Sequence, residues 1–240
     1  MILIILASGS GKRLKSKTSK IPKCLVEVNG KPIISYMEKF MNHFDKVFVV
    51  AGYRANKLEK FFKNKKIKII YNKNYNSTNM VHSIFSASKY INDDVVISYS
   101  DIIFDSSIIK LFSKKVNLMP IKKDWLQIWK KRMSVKKIKN DAENLVVKKN
   151  KLISIGQKIN KILPKYQFMG LIKIIYKDYL RMKKYYGKID NKQIDLTSFI
   201  NFLLKKKKLN ICCSKTNKFW FEIDSIKDLK VANVVIKKIN

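Results

Sequence analysis

The chain has 240 residues, 46% of them hydrophobic, enough for one large domain with a buried core, and a formal charge of +35 from 52 basic and 17 acidic residues. Only Arg13, Arg54, Arg132 and Arg181 are arginines, so the charge is almost all lysine; this reads as a solvated surface with no specific nucleic-acid partner. Three cysteines without a CxxC spacing and two isolated histidines exclude a zinc pattern and a disulfide framework, and the opening MILIILA is too short for a membrane span and lacks the basic start of a signal peptide, so a cytoplasmic protein without membrane insertion is expected.

Residues 2–7 (ILIILA) are a continuous apolar run, the mark of a strand buried on both faces. PIISYMEKFMNHF (32–44) has helical spacing, with Pro32 suited to a first turn. KVFVVAGY reads as a second buried strand, ANKLEKFFKN as a helix and IKIIY as a third strand. STNMVHSIFSASKYI reads as a helix capped by Ser77 or Thr78, and DVVISYSDIIF as a fourth strand running into acidic residues. Strands alternating with helices over short connections predict right-handed crossovers and a mostly parallel sheet, with ligands at the carboxyl ends of the strands. The 8–14 loop, Gly52-Tyr53 and Asp101 fall there.

Beyond about residue 115 the pattern loosens. ENLVVKKNKLISIGQ reads as a hairpin turning at Lys149-Asn150, and YQFMGLIKII as another strand. KDYLRMKKYY and IDLTSFINFLLKK are predicted helices, LNICCS and KFWFEID predicted strands, and SIKDLKVANVVIKK a closing helix capped by Ser225.

LASGSGKRL (6–14) is the informative loop. A P-loop would need glycine where Leu6 stands and a hydroxyl where Arg13 stands, and a dinucleotide fingerprint would need a third glycine at Leu14. Gly9 and Gly11 still let backbone N–H groups approach an anion closely. Arg13 follows, then a lysine-rich stretch, Pro22-Lys23 and GKPII. The whole of LASGSGKRLKSKTSKIPKCLVEVNGKPII resembles the signature of the sugar-nucleotidyltransferase superfamily, with Ser8 where alanine is commoner. YSDIIF and FEIDSIKDL resemble its two metal segments, around Asp101 and around Glu222 and Asp224. KDWLQIWKKR, DAENLVVKKNKLISIGQK and YQFMGLIKI resemble the branch of phosphocholine, 2-aminoethylphosphonate and phosphoglutamine cytidylyltransferases, the last from capsule pathways.

The resemblance implies a single α/β domain over residues 1–240, a three-layer Rossmann-like nucleotidyltransferase fold with a mostly parallel central sheet and a small β-rich acceptor lobe. Its nucleotide-binding half would be 1–115; its acceptor-binding half, with the second metal segment, 116–240. It implies CMP transfer from CTP to a small phospho or phosphono acceptor, with release of pyrophosphate. Arg13 would grip the β- and γ-phosphates, helped by Lys12, and Lys23 would bridge the α-phosphate and the acceptor. Mg²⁺ would sit on Asp101 and Asp224 with Glu222. Leu6, Ala7, Gly9, Ser10 and Gly11 would line the nucleoside and phosphates, with Asn79 and Ser83, one helical turn apart, at the base and ribose. Trp125 and Trp129, four apart on one helical face, would form the acceptor pocket with Arg132, against the plain reading of two packed tryptophans. A cationic acceptor head could rest on the rings and a carboxylate head could pair with Arg132. A hexose-1-phosphate nucleotidyltransferase and a lysine-rich RNA-binding scaffold are the alternatives, and the oligomeric state stays open, a homodimer included.

Overall fold

In the computed structural model, which describes residues 1–159 and 162–237, the strand Ile2–Ala7 lies third along a large sheet, flanked by parallel strands. It pairs in parallel with Lys46–Ala51 on one side and Val95–Tyr99 on the other, and Lys68–Tyr71 forms the outer parallel strand. Successive side chains of the first strand enter opposite cores: Ile2, Ile4 and Leu6 join one cluster, Leu3, Ile5 and Ala7 the other. That is why the run is apolar without alternation, and why helices cover both faces.

Past Val95–Tyr99 the direction reverses. Leu171–Ile174 pairs antiparallel with it, and the sheet continues through Leu118–Lys122, Cys212–Thr216, Lys151–Gln157 and Asn144–Lys148. The β-rich part is thus the extension of the same sheet. Its last two strands form the expected hairpin, and Lys149 and Asn150 both take positive φ (46° and 60°), as a tight turn between right-twisted strands requires. The strand predicted over YQFMGLIKII is interrupted: Gln167–Phe168 and Leu171–Ile174 are separate strands around Gly170, at φ 75°. A Cβ on Gly170 would stand 3.0 Å from the Tyr99 ring, so the close approach needs glycine.

Two sequence expectations are corrected. Residues 32–44 do not form one helix; a tight 3-10 segment Ile33–Met37 leads into a short α-helix Glu38–Met41. Ile33 packs into one core, and Ile34, Met37 and Phe40 into another, so its first turn is apolar on two sides, and adjacent β-branched Ile33 and Ile34 disfavour a regular start. The helix Met80–Ser86 is capped by Asn79, whose side chain accepts from the Met80 amide, rather than by Ser77 or Thr78. Ser225 caps the closing helix Ile226–Ile236 in a full capping box with Asp228, as its spacing predicts.

The feature that positions the site is a separate two-stranded ribbon. Ile102–Phe104 pairs antiparallel with Trp220–Glu222, with Ile102 opposite Glu222, and the Ile223 amide donates to the Asp101 carbonyl at 2.9 Å. Segments more than a hundred residues apart thereby bring Asp101 and Asp224 to one point.

Candidate active site

The first strand ends at Ala7, and the chain turns through residues 8–11 into a 3-10 segment Lys12–Thr18. Gly11 takes φ 63°, and a Cβ there would stand 2.8 Å from the Lys23 Cβ, so this position requires glycine for both conformation and space. Gly9 differs: nothing lies within 4 Å of its would-be Cβ, which leaves its backbone open to an incoming group. The loop is tied down from behind. The Thr18 hydroxyl donates to the Gly11 carbonyl at 3.1 Å, the Tyr53 amide donates to the Ser8 carbonyl, and the Tyr53 hydroxyl donates to the Ser19 carbonyl. Gly52 permits this approach, since a Cβ there would meet Tyr75 at 2.6 Å and the Ser8 carbonyl at 2.8 Å.

A cavity of about 430 Å³ opens over this loop. Leu6, Ala7, Gly9, Gly11, Lys12, Arg13, Lys23, Asn79, Ser83, Asp101, Glu222 and Asp224 all line it, so residues chosen from separate stretches of sequence converge. Ser10 is half-buried and does not line it. Asn72 also lines it and escaped the sequence reading; Tyr75 and Thr78 line it too, though the sequence reading assigned them no site role of their own. Asn72 is buried and donates to Thr78 Oγ1 at 3.1 Å and to Ser83 Oγ at 3.0 Å, while Ser83 and Ser8 share a hydrogen bond at 3.1 Å. The signal for Asn72 was its place after the third parallel strand, at the carboxyl edge where ligands gather.

At one end of the cavity, Lys23 Nζ donates to both Asp101 Oδ2 and Asp224 Oδ1, each at 2.5 Å, and Arg13 Nη2 donates to Asp224 Oδ1 at 3.0 Å. Burial opposes the charge on Lys23, yet Asp101 and Asp224 outweigh it and hold the ammonium protonated beyond the usual lysine range. Burial likewise pushes Asp224 up, but Lys23 and Arg13 prevail and keep its carboxyl below the usual range. Glu222 is less well supported: burial, then the neighbouring Asp224 charge, push it up to about 8 against the opposing pull of Arg132 and Lys23. Among the described residues Asp101 Oδ1 is buried without a hydrogen-bond partner, so one carboxylate oxygen of the pair is unused. Two carboxylates sharing one cation, with an unused oxygen, make a donor set that suits a hard divalent ion.

The predicted acceptor residues lie on the helix Trp125–Arg132. Trp125 is corrected: it is 1% exposed, its Nε1 donates to the Pro164 carbonyl, and it lines neither this cavity nor the smaller one beside it, because its face of the helix packs into the core. Trp129 packs edge-on against it, with centroids 5.3 Å apart. Trp129 and Arg132 do border the smaller cavity, of about 170 Å³, which shares Arg13, Tyr99, Glu222 and Asp224 with the first. Arg132 is fully enclosed: Nε donates to Asp228 Oδ1 at 2.9 Å, Nη1 reaches Glu222 Oε2 at 3.5 Å, and the guanidinium lies over the Trp129 ring.

A family model for the MobA-like NTP transferase domain matches residues 3–118. The CTP:phosphoglutamine cytidylyltransferase of Campylobacter jejuni is 32% identical over 252 residues, spanning 96% of this chain and 98% of that protein. The chain therefore belongs to the nucleotidyltransferase family of MobA-like NTP transferases and is an enzyme of that class. The bifunctional protein GlmU of Methanocaldococcus jannaschii is 27% identical along this whole chain, which spans only 55% of that protein. Two solved structures share the fold. The inositol-1-phosphate CTP transferase from T. maritima superposes with a TM-score of 0.79 at 22% identity, over 98% of this chain and 95% of that one. The CTP:phosphocholine cytidylyltransferase from Streptococcus pneumoniae superposes at 0.74 and 17% identity, over 98% and 99%. The three-layer Rossmann-like nucleotidyltransferase fold read from the sequence is thus the observed one.

Proposed function

We propose that the protein transfers CMP from CTP to the phosphate or phosphonate oxygen of a small acceptor and releases pyrophosphate. The observation that carries this reading is the clasp of Lys23 between Asp101 and Asp224 at the end of a glycine-floored cavity, with Arg13 alongside. CTP as the donor is supported by the full-length similarity to a CTP-dependent relative. The acceptor oxygen attacks the α-phosphorus in line, the bond from the α-phosphorus to the bridging oxygen breaks, and the electron pair leaves with pyrophosphate. No proton need move, since the attacking oxygen is already anionic; positioning and charge neutralisation do the chemistry.

Mg²⁺ fits the Asp101–Asp224 pair, with Glu222 beside it, and when bound supplies positive charge to the triphosphate oxygens. Arg13, 65% exposed at its side chain, is free to swing from Asp224 onto the β- and γ-phosphates. Lys23 then serves the α-phosphate and the acceptor oxygen, where negative charge meets negative charge. Backbone amides around Gly9 and Gly11 approach the phosphates, and Asn72, Asn79 and Ser83 offer hydrogen-bonding groups to the base and ribose. The free thiols of Cys24, Cys212 and Cys213 suit a reducing compartment, and no described helix is long and apolar enough to cross a membrane. The CDP-linked product serves the decoration of a surface polysaccharide or lipid.

Pyrophosphate release from four NTPs, each against phosphorylated amino acids, phosphocholine, phosphoethanolamine, 2-aminoethylphosphonate and hexose 1-phosphates, tests the reading. CTP with a small non-sugar acceptor is the expected pair. Release only with a hexose 1-phosphate, or from no pair at all, overturns it.

A further inference from the structure

The helix Tyr176–Gly187 has two unlike sides. Tyr179, Met182 and Tyr186 are buried, while Lys177, Leu180, Lys184 and Lys188 follow one another at helical spacing on the other side and stand exposed. Lys205–Lys208, where the helix Leu196–Lys205 ends, join this face. The Arg181 guanidinium ties the two segments together, donating to the Lys208 carbonyl at 3.3 Å and pairing with Asp178. A groove of about 460 Å³ runs between them, lined by Leu180, Arg181, Lys184, Tyr185, Lys188 and Lys208. Among the described residues no exposed lysine of this face pairs with a carboxylate. Lys207 holds its charge there at φ 55°, a conformation that glycine or asparagine takes more easily at a helix end. The other lysine-lined groove, at the amino ends of the strands Lys46–Ala51 and Lys68–Tyr71, differs: Asp45 lines it and Glu38 pairs with its Lys65.

We propose that this face docks the protein on the anionic surface of a lipid bilayer, with the lysines among the headgroups and Leu180 at the acyl boundary. Charge complementarity carries the assignment: unpaired lysines on two adjoining segments meet a surface that is negative throughout, and each adds to the attraction. Leu180 selects the partner. It is 46% exposed in the middle of the lysine row, which is the layout of a helix that lies in a membrane interface. Lysine stems reach past such a side chain and keep their ammonium groups in water. Nucleic acid would be met by arginine forks or by open aromatic rings on which bases stack. Here the one arginine is taken by Asp178 and the Lys208 carbonyl, and Tyr185 is half-buried with its ring 6.5 Å from Phe202. None of the groove residues lines the candidate active cavity, so docking does not engage the cleft, and the inference stands apart from the transfer reading.

The test is co-sedimentation of the full chain with vesicles of phosphatidylcholine and phosphatidylglycerol, against vesicles of phosphatidylcholine alone. A chain of charge +35 is drawn weakly to any anionic vesicle, so the position of the lysines must be tested and not only their number. Binding to the anionic vesicles alone is expected, weakening as salt rises. The triple variant Lys177→Gln, Lys184→Gln, Lys188→Gln should lose roughly ten- to hundredfold in affinity, while the control triple Lys57→Gln, Lys60→Gln, Lys63→Gln, which removes the same charge at the helix Ala55–Phe62, should lose less than about threefold. Leu180→Ser, with no change of charge, should cost about three- to tenfold. Every substituted side chain is exposed, so the variants should fold. No binding to anionic vesicles, equal losses in the two triples, or an unchanged affinity in Leu180→Ser overturns the proposal. Tighter binding to single-stranded RNA than to the vesicles, lost in the first triple and untouched by Leu180→Ser, assigns the face to nucleic acid and overturns it as well.

Discussion

On the proposed nucleotide side of the cleft the basic groups are held loosely or by one another's partners. Among the described residues Arg13 is mostly exposed and pairs with Asp224 alone, and Lys23 is bound only to the two carboxylates that a metal would also claim. On the acceptor side Arg132 is wholly buried, roofed by Trp129 and Phe221, and fastened to Asp228, which itself completes the cap of the closing helix. On the proposed reading each side would meet an anion with a cation: Arg13 is exposed enough to move toward charge that develops during reaction, while Arg132 is locked into the fold and could offer only the hydrogen bonds it has left. Substitutions should therefore separate activity from stability on one side and couple them on the other.

The largest effect expected is on the acceptor side. Arg132→Met strands Asp228 in the interior and should cost about 3–5 kcal/mol of stability, read as a large drop in melting temperature with activity falling alongside. Arg13→Ala should leave the melting temperature nearly unchanged, and a large fall there would erase the contrast. Lys23→Ala should lower kcat by roughly 10²–10³, about 3–4 kcal/mol of transition-state stabilisation. It also leaves Asp101 and Asp224 facing each other, so the variant should melt lower without a divalent ion and recover when Mg²⁺ is added. Recovery equal to that of the unaltered protein would show that Lys23 and the ion do not share these carboxylates. Gly52→Ala should cost about 1–3 kcal/mol, because Tyr75 or the Ser8 turn must move, and should raise the CTP KM more than the acceptor KM.

The smallest effect is at Asp195, the cap of the helix Leu196–Lys205. Burial would raise its carboxyl, but hydrogen bonds from Ser198 and Thr197 outweigh this and hold it below 3.8. Its contribution is therefore intact at neutral pH and lost as pH falls below 3.8 through the lower folded-state value. Asp195→Ala should cost about 1 kcal/mol at pH 7 and little at strongly acid pH, by denaturant melts.

The glycine loop, Arg13, Lys23 and the buried strands were legible because each combines a backbone requirement or an apolar run with its chemistry in a few adjacent residues. Asp101 and Asp224 were legible one at a time, as acids after strands; the ribbon that joins them is a long-range pairing that no local pattern announces. Asn72, Tyr75 and Thr78 carry neither charge nor a special conformation; only Asn72 was marked by its place at a strand end, and Tyr75 and Thr78 lie in the stretch that leads to the helix Met80–Ser86. The helical spacing of Trp125, Trp129 and Arg132 put them on one face, but not which way the face looked. An arginine three residues after a tryptophan suggested an open site, and the buried Asp228 that lets it face inward is 96 residues away.

On the proposed reading, that distant partner also limits how acceptor preference could be transplanted between relatives. Asp228 receives Arg132 through one oxygen and, through the other, the amides of Asp224 and Ser225 at the head of the closing helix. A graft of residues 125–132 alone would bring a foreign side chain against an unchanged acid and tug on the turn that presents Asp224. The helix and the 220–228 turn are in effect one exchangeable cassette in two pieces, and a chimera that respects this should keep its turnover where a single-segment swap loses it.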